Sequence, residues 1–440
     1  MGSEGHRWDT IPIAGPILGF FPASEGIRPS RFDKPWALGS YKLRVKVRMK
    51  VSLREMKSLI PSASDAYTYV SKPTAMESLI QRIEKAGKVA LDTEADSLHN
   101  YFEKVCLIQL SLEDGHYLVD PLSGLNLSGF LEALAKKPLI LHGGDYDLRM
   151  LRTSLSFRPN GEVFDTMIAA QLLGIEEIGL ASLIERFFDV AIPKQGQKSD
   201  WSRRPLSEEQ LRYAINDTRF LADLAERLGA ELTERGRFAW HKESCRAMVA
   251  STGRDRLRDP DQEWRIKGAG RLTRCELAYL REIWHWRDEH ARRKNVPPFK
   301  VIGNQQILAL VQWATSRPGV SLHEGPKLPR NIRGALLETL EKAITRAAGI
   351  DEAQWPELRK FERNDRPRGD FIAQVNALRS ECARIAKELQ IAASTLAPRA
   401  ALEAIVQHRP TTVDEIMKRA GLLRWQAELV QGAVAKCLGD

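Results

Sequence analysis

With 440 residues the chain exceeds what one hydrophobic core usually serves, so two to four domains are expected. Its 43% apolar content is ordinary for a soluble globular protein. No stretch approaches the roughly 20 apolar residues that a membrane helix needs, which excludes a helical membrane span. The net charge is +9, but residues 61–240 carry 20 basic and 27 acidic groups, while residues 1–60, 241–300 and 301–440 are all net basic. An acidic block inside a polyanion-binding chain points to divalent cations, which would reverse the local sign.

The first sixty-five residues read as an irregular or disordered extension, with Pro, Gly and Ser among few periodic apolar positions. The apolar run Ile11–Ala23 is broken by prolines and preceded by Glu4 and Asp9, so no cleaved signal is expected there. A helix is expected over Ala75–Ala86, followed by three short strands at Val89, Val105 and His116. Another helix over Leu127–Ala135 leads to the apolar run Leu139–His142, and helical periodicity dominates from there to about Glu234. Strands first and helices later describe an α+β domain over 66–240 with helices packed on a mixed sheet.

Residues 241–270, rich in Arg with Asp259-Pro260 and Gly268-Ala-Gly270, read as a linker. Two all-α segments follow at 271–346 and 371–440, each with a Leu/Ala-rich first helix, and they read as copies of one module. The cysteines Cys106, Cys245, Cys275, Cys382 and Cys437 show no zinc-ligand spacing and no disulfide framework, which fits the reducing cytoplasm.

Three places in the acidic block carry chemistry. The first strand ends Leu91-Asp92-Thr93-Glu94-Ala95-Asp96, and alternation puts Asp92 and Glu94 on one face. Two carboxylates beside apolar strand residues want a cation, unless the strand frays and solvates them. The second is the strand-to-helix turn Leu141-His142-Gly143-Gly144-Asp145-Tyr146-Asp147. Here Asp145 as a helix cap and Asp147 in the first turn have a complete structural explanation. The third is Tyr213-Ala-Ile-Asn-Asp217, whose phenol and carboxylate share a helix face.

Taken together and in this order, the three resemble the DEDD exonuclease superfamily in its tyrosine-bearing branch. Asp92-Thr-Glu-Ala-Asp-Ser97, Cys106-Leu-Ile-Gln-Leu, Phe164-Asp-Thr166, Ser199-Asp-Trp201 and Arg204-Pro-Leu206 narrow the resemblance to RNase D and its exosome-associated eukaryotic relative. The resemblance covers about 75–237 and implies an RNase H-like mixed-sheet 3′→5′ exonuclease domain. It implies Asp92, Glu94, Asp147 and Asp217 as metal ligands and Tyr213 as catalytic. The cofactors implied are two divalent cations, and all-oxygen ligation favours Mg²⁺ or Mn²⁺ over zinc. By the same resemblance Asp92 lies between both ions, Glu94 and Asp217 on the nucleophile side and Asp147 on the leaving-group side. His142 is expected as a polar neighbour near the nucleic acid, and Asp145, Asp96 and Asp165 as acids outside the metal set.

Leu280-Arg-Glu282, Trp286-Arg-Asp288, Ala291-Arg292 and Asn295-Val-Pro-Pro298 resemble an HRDC domain, and Leu378 to Ala400 resembles a second one more weakly. Arg292, Arg293, Lys294 and Lys300 are expected to contact phosphates. The function implied is an exoribonuclease acting as a monomer on tRNA precursors or other small structured RNAs. A DNA repair exonuclease and an inactive RNA-binding scaffold are the alternatives. Since the charge map places RNA affinity behind the catalytic block, truncation after Arg237 is expected to leave a folded, active domain.

Overall fold

The computed structural model describes residues 66–192, 196–253, 259–358 and 369–439; the expected irregular extension 1–65 lies outside them. Six strands form one mixed sheet: β1 (Tyr67–Val70), β2 (Val89–Ala95), β3 (Val105–Leu112), β4 (Gly115–Val119), β5 (Leu139–Leu141) and β6 (Val163–Asp165). Their order is β1-β4-β3-β2-β5-β6, antiparallel for β2–β3 and β3–β4 and parallel for the other pairs. The β3–β4 hairpin turns at Glu113-Asp-Gly115, as its composition predicts, and Gly115 has a positive φ. The two edge strands β1 and β6 were not anticipated, since they are short and pair on one side only.

The helices of this domain are α1 (Pro73–Lys85), α2 (Ser128–Ala135), α3 (Asp145–Leu155), α4 (Thr166–Leu172), α5 (Leu180–Phe188), α6 (Glu208–Arg219), α7 (Leu221–Glu234) and α8 (Phe238–Thr252). Proline opens α1, where its missing N–H costs nothing, and Met76, Leu79 and Ile83 line its buried face. The helical stretch after Ser207 breaks at Phe220 into α6 and α7. A capping box starts α6: Ser207 accepts from the Gln210 N–H while the Gln210 side chain accepts from Ser207 N–H.

One face of the sheet packs Val89, Leu91, Ile108 and Leu110 against Leu79, Phe130, Leu148 and Leu151. The other carries Ala90, Leu107 and Leu118 beneath α6 and α7, through Ala214, Ile215, Leu221 and Ala225. Each fully buried Leu or Ile contributes about 1.5–3 kcal/mol.

The expected linker needs correcting. Its first part is α8, which packs on β6, α3 and α4, and Met248 and Val249 join the sheet core. Its last part belongs to the next domain, where Trp264, Ala269 and Leu272 are core residues. After α9 (Pro260–Glu263) that domain consists of α10 (Arg274–Lys294), α11 (Pro298–Val301), α12 (Asn304–Ser316) and α13 (Ala335–Ala348).

The last segment contains α14 (Gly369–Glu388), α15 (Ala393–Leu396), α16 (Arg399–His408), α17 (Val413–Ala420) and α18 (Arg424–Leu438). It keeps the spacing of the domain before it. Asn295 and Gln390 follow the long helices with φ 49° and 55°. Short helices then start at Pro298 and Ala393, and the next ones at Asn304 and Arg399. Ile307 and Leu310 correspond to Leu402 and Ile405, all buried.

This segment shares a core with the catalytic domain. Leu172, Leu224, Leu228 and Leu232 sit in one cluster with Leu378, Cys382, Ile405 and Trp425. A Cβ at Gly174 would come within 1.7 Å of the Gln390 carbonyl oxygen, so only glycine permits the approach. The buried Arg237 donates to the carbonyls of Leu172 (2.7 Å) and Leu389 (2.5 Å), and Trp240 stacks on Trp425 at 4.9 Å. The catalytic domain therefore does not end at Arg237. None of the five cysteines is disulfide-bonded, and among the described residues no helix is long and apolar enough to cross a membrane.

Candidate active site

Three elements converge where β2 ends. Asp92 and Glu94 project from β2 on the face covered by α6, which brings Asp217 to them; ligand oxygens of these three lie within 4.8 Å of one another. Asp147 arrives from α3, on the opposite face. Thr93, pointing away from Asp92 and Glu94, donates its backbone N–H (3.1 Å) and hydroxyl (2.6 Å) to Asp147 Oδ1. All four carboxylates and Tyr213 line one cavity of 550 Å³, together with Ser97, Leu98, His142, Tyr146 and Trp201. A larger cavity, 670 Å³, lies beside β6 and α8 and contains none of the four.

The electrostatics are those of four carboxyls crowded together in one cavity. Burial pushes the Asp92 carboxyl well above its ordinary range, and Asp147, Asp217 and Glu94 push it further. Burial and then the charges of Asp217 and Asp147 raise Glu94 to about 9. Burial raises Asp217 to about 7, opposed by the hydrogen bond from Tyr213, and Asp147 to about 6, opposed by the bonds from Thr93. Among the described residues no Lys or Arg is ion-paired with any of the four. Half-buried to buried hard oxygen donors that raise one another's pKa fit a divalent metal.

Tyr213 is pushed upward by burial and by the acids around it, Asp217 first, so it stays a neutral phenol one helical turn from Asp217. Thr166 donates its hydroxyl proton to the Leu141 carbonyl (3.1 Å), so His142 Nδ1 must be the donor in its 2.9 Å bond to Thr166. Burial lowers the His142 pKa, leaving a neutral ring whose Nε2 is an acceptor. Gly143, with φ 67°, makes the turn, and a Cβ on Gly144 would strike Leu141 at 2.7 Å.

The other acids have structural work. Asp165 caps α4, accepting from Met167 N and Ile168 N, and also accepts from Gly144 N at 2.7 Å. Asp96, fully buried, accepts from Lys104 and Asn100. Asp145 is not the helix cap; it pairs with Arg149 at 2.7 Å on the surface. Arg292, Arg293 and Lys294 at the end of α10 and Lys300 in α11 do not line the cavity, though Lys300 Nζ lies 3.4 Å from His99 Nδ1, next to Leu98 of the cavity wall.

Sequence reasoning missed Thr93 and Trp201 as parts of the site. Thr93 carried a signal: a hydroxyl residue on a buried strand, facing the helix that holds the fourth acid. Trp201 lies in the word Ser199-Asp-Trp201. Its loop is tied down by Arg204, which makes bonds of 2.6 and 2.7 Å to Asp120 and a further one to the Trp201 carbonyl.

Residues 67–233 match a family described as 3′-5′ exonuclease, and residues 276–316 match the HRDC domain. The chain is 32% identical over 275 residues to ribonuclease D of Pseudomonas paraeruginosa, covering 61% of this chain and 71% of that protein. The chain belongs to the ribonuclease D family. Ribonuclease D of Zymomonas mobilis is 30% identical over 247 residues, 55% of this chain and 62% of that protein, so this second match spans just under two thirds of its relative. The crystal structure of Escherichia coli RNase D shares the fold, with a TM-score of 0.65 at 24% identity over 85% of this chain and 98% of that one. As a ribonuclease D family enzyme the chain thus pairs a 3′-5′ exonuclease domain, carrying an acidic cluster that could hold a metal ion, with an HRDC domain.

Proposed function

We propose that the chain shortens RNA from its 3′ end, releasing nucleoside 5′-monophosphates, with Asp92, Glu94, Asp147 and Asp217 holding two Mg²⁺ or Mn²⁺ ions. The convergence of four mutually destabilising carboxylates in one cavity carries this reading. Bound there, the ions supply the charge that activates water and stabilises the leaving oxygen of an in-line displacement. Tyr213, a neutral phenol held against Asp217, orients the water by hydrogen bonding and does not act as a strong base. His142, which lines the same cavity, is the polar neighbour proposed to accept a hydrogen bond from the nucleic acid through Nε2.

The substrates proposed are tRNA precursors or other small structured RNAs, in the cytoplasm, with the chain working as a monomer. The solved E. coli relative is described as an exoribonuclease involved in structured RNA processing. The shared spacing of the two helical segments supports reading 271–346 and 371–440 as two HRDC modules. Arg292, Arg293, Lys294 and Lys300 are the phosphate contacts proposed on the first.

The reading is tested by turnover on matched RNA and DNA strands, and by sequencing RNA 3′ ends in a deletion strain. Faster RNA cleavage and lengthened tRNA or small-RNA 3′ ends are expected. Preference for DNA with unchanged RNA ends would replace this reading with a DNA exonuclease.

A further inference from the structure

The loop between β2 and β3, Asp96–Lys104, joins the catalytic cavity to the HRDC domain. Its first residues belong to the site: Ser97 and Leu98 line the cavity, and Tyr146 donates to Ser97 Oγ at 3.0 Å. Its base is fixed by Asp96, which accepts from Lys104 N (2.8 Å) and Asn100 Nδ2 (2.7 Å). Its tip lies on the HRDC domain. Asn295 Oδ1 accepts from the backbone N–H groups of Tyr101 and Phe102, both at 3.1 Å, and Asn295 Nδ2 donates to Asn100 Oδ1 at 3.1 Å. The Tyr101 hydroxyl donates to Asp288 at 3.0 Å, and its ring packs on the HRDC core.

Asn295 therefore has two jobs. It ends α10 in the left-handed region, where Asn is among the few side chains tolerated, and its amide saturates the loop tip. Asn100 relays that hold, taking the Asn295 amide on one side and giving its own to Asp96 on the other. Asp96 lies two residues beyond Glu94, immediately past the end of β2.

We propose that Asn295 is a positioning residue for the nuclease: through Asn100 and the tip amides it fixes the Ser97–Leu98 wall against which the RNA 3′ end is held. The HRDC domain thus shapes the catalytic cavity as well as offering phosphate contacts. This rests on the exonuclease reading.

The test is Asn295→Gly in the full chain, since glycine keeps the left-handed helix end while removing all three side-chain bonds. A trinucleotide is the discriminating substrate, since it fills the cavity and offers few phosphates beyond it. Its KM should rise about tenfold, the size of two or three lost neutral hydrogen bonds, with kcat near wild type. Tyr101→Phe should move KM in the same direction. Exchange of the Tyr101 and Phe102 amide protons is a readout independent of cleavage and should accelerate in Asn295→Gly. Unchanged trinucleotide KM or unchanged amide protection overturns the proposal. A wild-type chain that cleaves no RNA would overturn the exonuclease reading instead, leaving amide exchange to decide this one.

Discussion

Thr93 gives Asp147 Oδ1 two hydrogen bonds, one from its backbone and one from its hydroxyl, at 3.1 and 2.6 Å. The pair joins the two faces of the sheet at the end of β2 and brings the fourth acid to the other three. Asp145, two residues earlier, is 48% exposed and pairs with Arg149. Asp147→Asn should therefore lower kcat by roughly a hundredfold or more, as when one preorganised charge-stabilising group is removed. Asp145→Asn should leave turnover alone and cost within about 1 kcal/mol, the worth of a surface ion pair. Steady-state kinetics with thermal melts checks both, and the reverse ranking would misplace the second motif.

Metal binding should be coupled to protons. Without metal, burial and the neighbouring acids push Asp147, Asp217 and Glu94 up to about 6, 7 and 9, well above an unfolded carboxyl near 4. Between those values the folded chain binds more protons than the unfolded one, so this contribution to stability is full below about pH 4 and fades as pH rises through 6, 7 and 9. Ions compete with those protons. The melting temperature without metal should fall from pH 5 to 9, and the increment from Mg²⁺ or Mn²⁺ should grow. An increment independent of pH would contradict the carboxylate site.

Tyr213→Phe removes a donor and leaves the four acids in place. Turnover should drop by about one to two orders of magnitude, as for loss of a positioned hydrogen-bonding group, with metal affinity little changed. Since the phenol stays protonated, kcat should show no inflection near pH 10 attributable to it. Isothermal titration beside a pH–rate profile separates the two effects. Equal loss of metal affinity and turnover would make Tyr213 part of the metal shell.

Removing everything after Arg237 should not yield an independent enzyme. The cut exposes Leu172, Leu224, Leu228 and Leu232, worth about 1.5–3 kcal/mol each, against a typical domain stability of about 5–15 kcal/mol. It also strands the Arg237 guanidinium without the Leu389 carbonyl. The truncated chain is expected to aggregate or bind hydrophobic dye. A monomer with a cooperative melt would show that the shared core is dispensable.

The convergence of the acids was legible where a local pattern fixes a side chain's direction: alternation for Asp92 and Glu94, one helical turn for Tyr213 and Asp217. Local pattern could not choose Asp147 over Asp145, and the resemblance supplied that choice. Long-range contacts were illegible. Nothing local tells that Leu172 meets the last segment, that Arg237 bridges Leu172 and Leu389, or that Asn295 touches Tyr101. The short strands β1 and β6 escaped for a related reason, since each depends on a single partner strand.

The most direct measurement uses a 5′-labelled single-stranded RNA, followed with time in Mg²⁺ or Mn²⁺ and in excess EDTA. The account predicts a ladder shortening one nucleotide at a time from the 3′ end, release of nucleoside 5′-monophosphates, no cleavage in EDTA, and nearly none with a folded Asp92→Asn chain. An internal cut as the first product, or robust cleavage in EDTA, would contradict it.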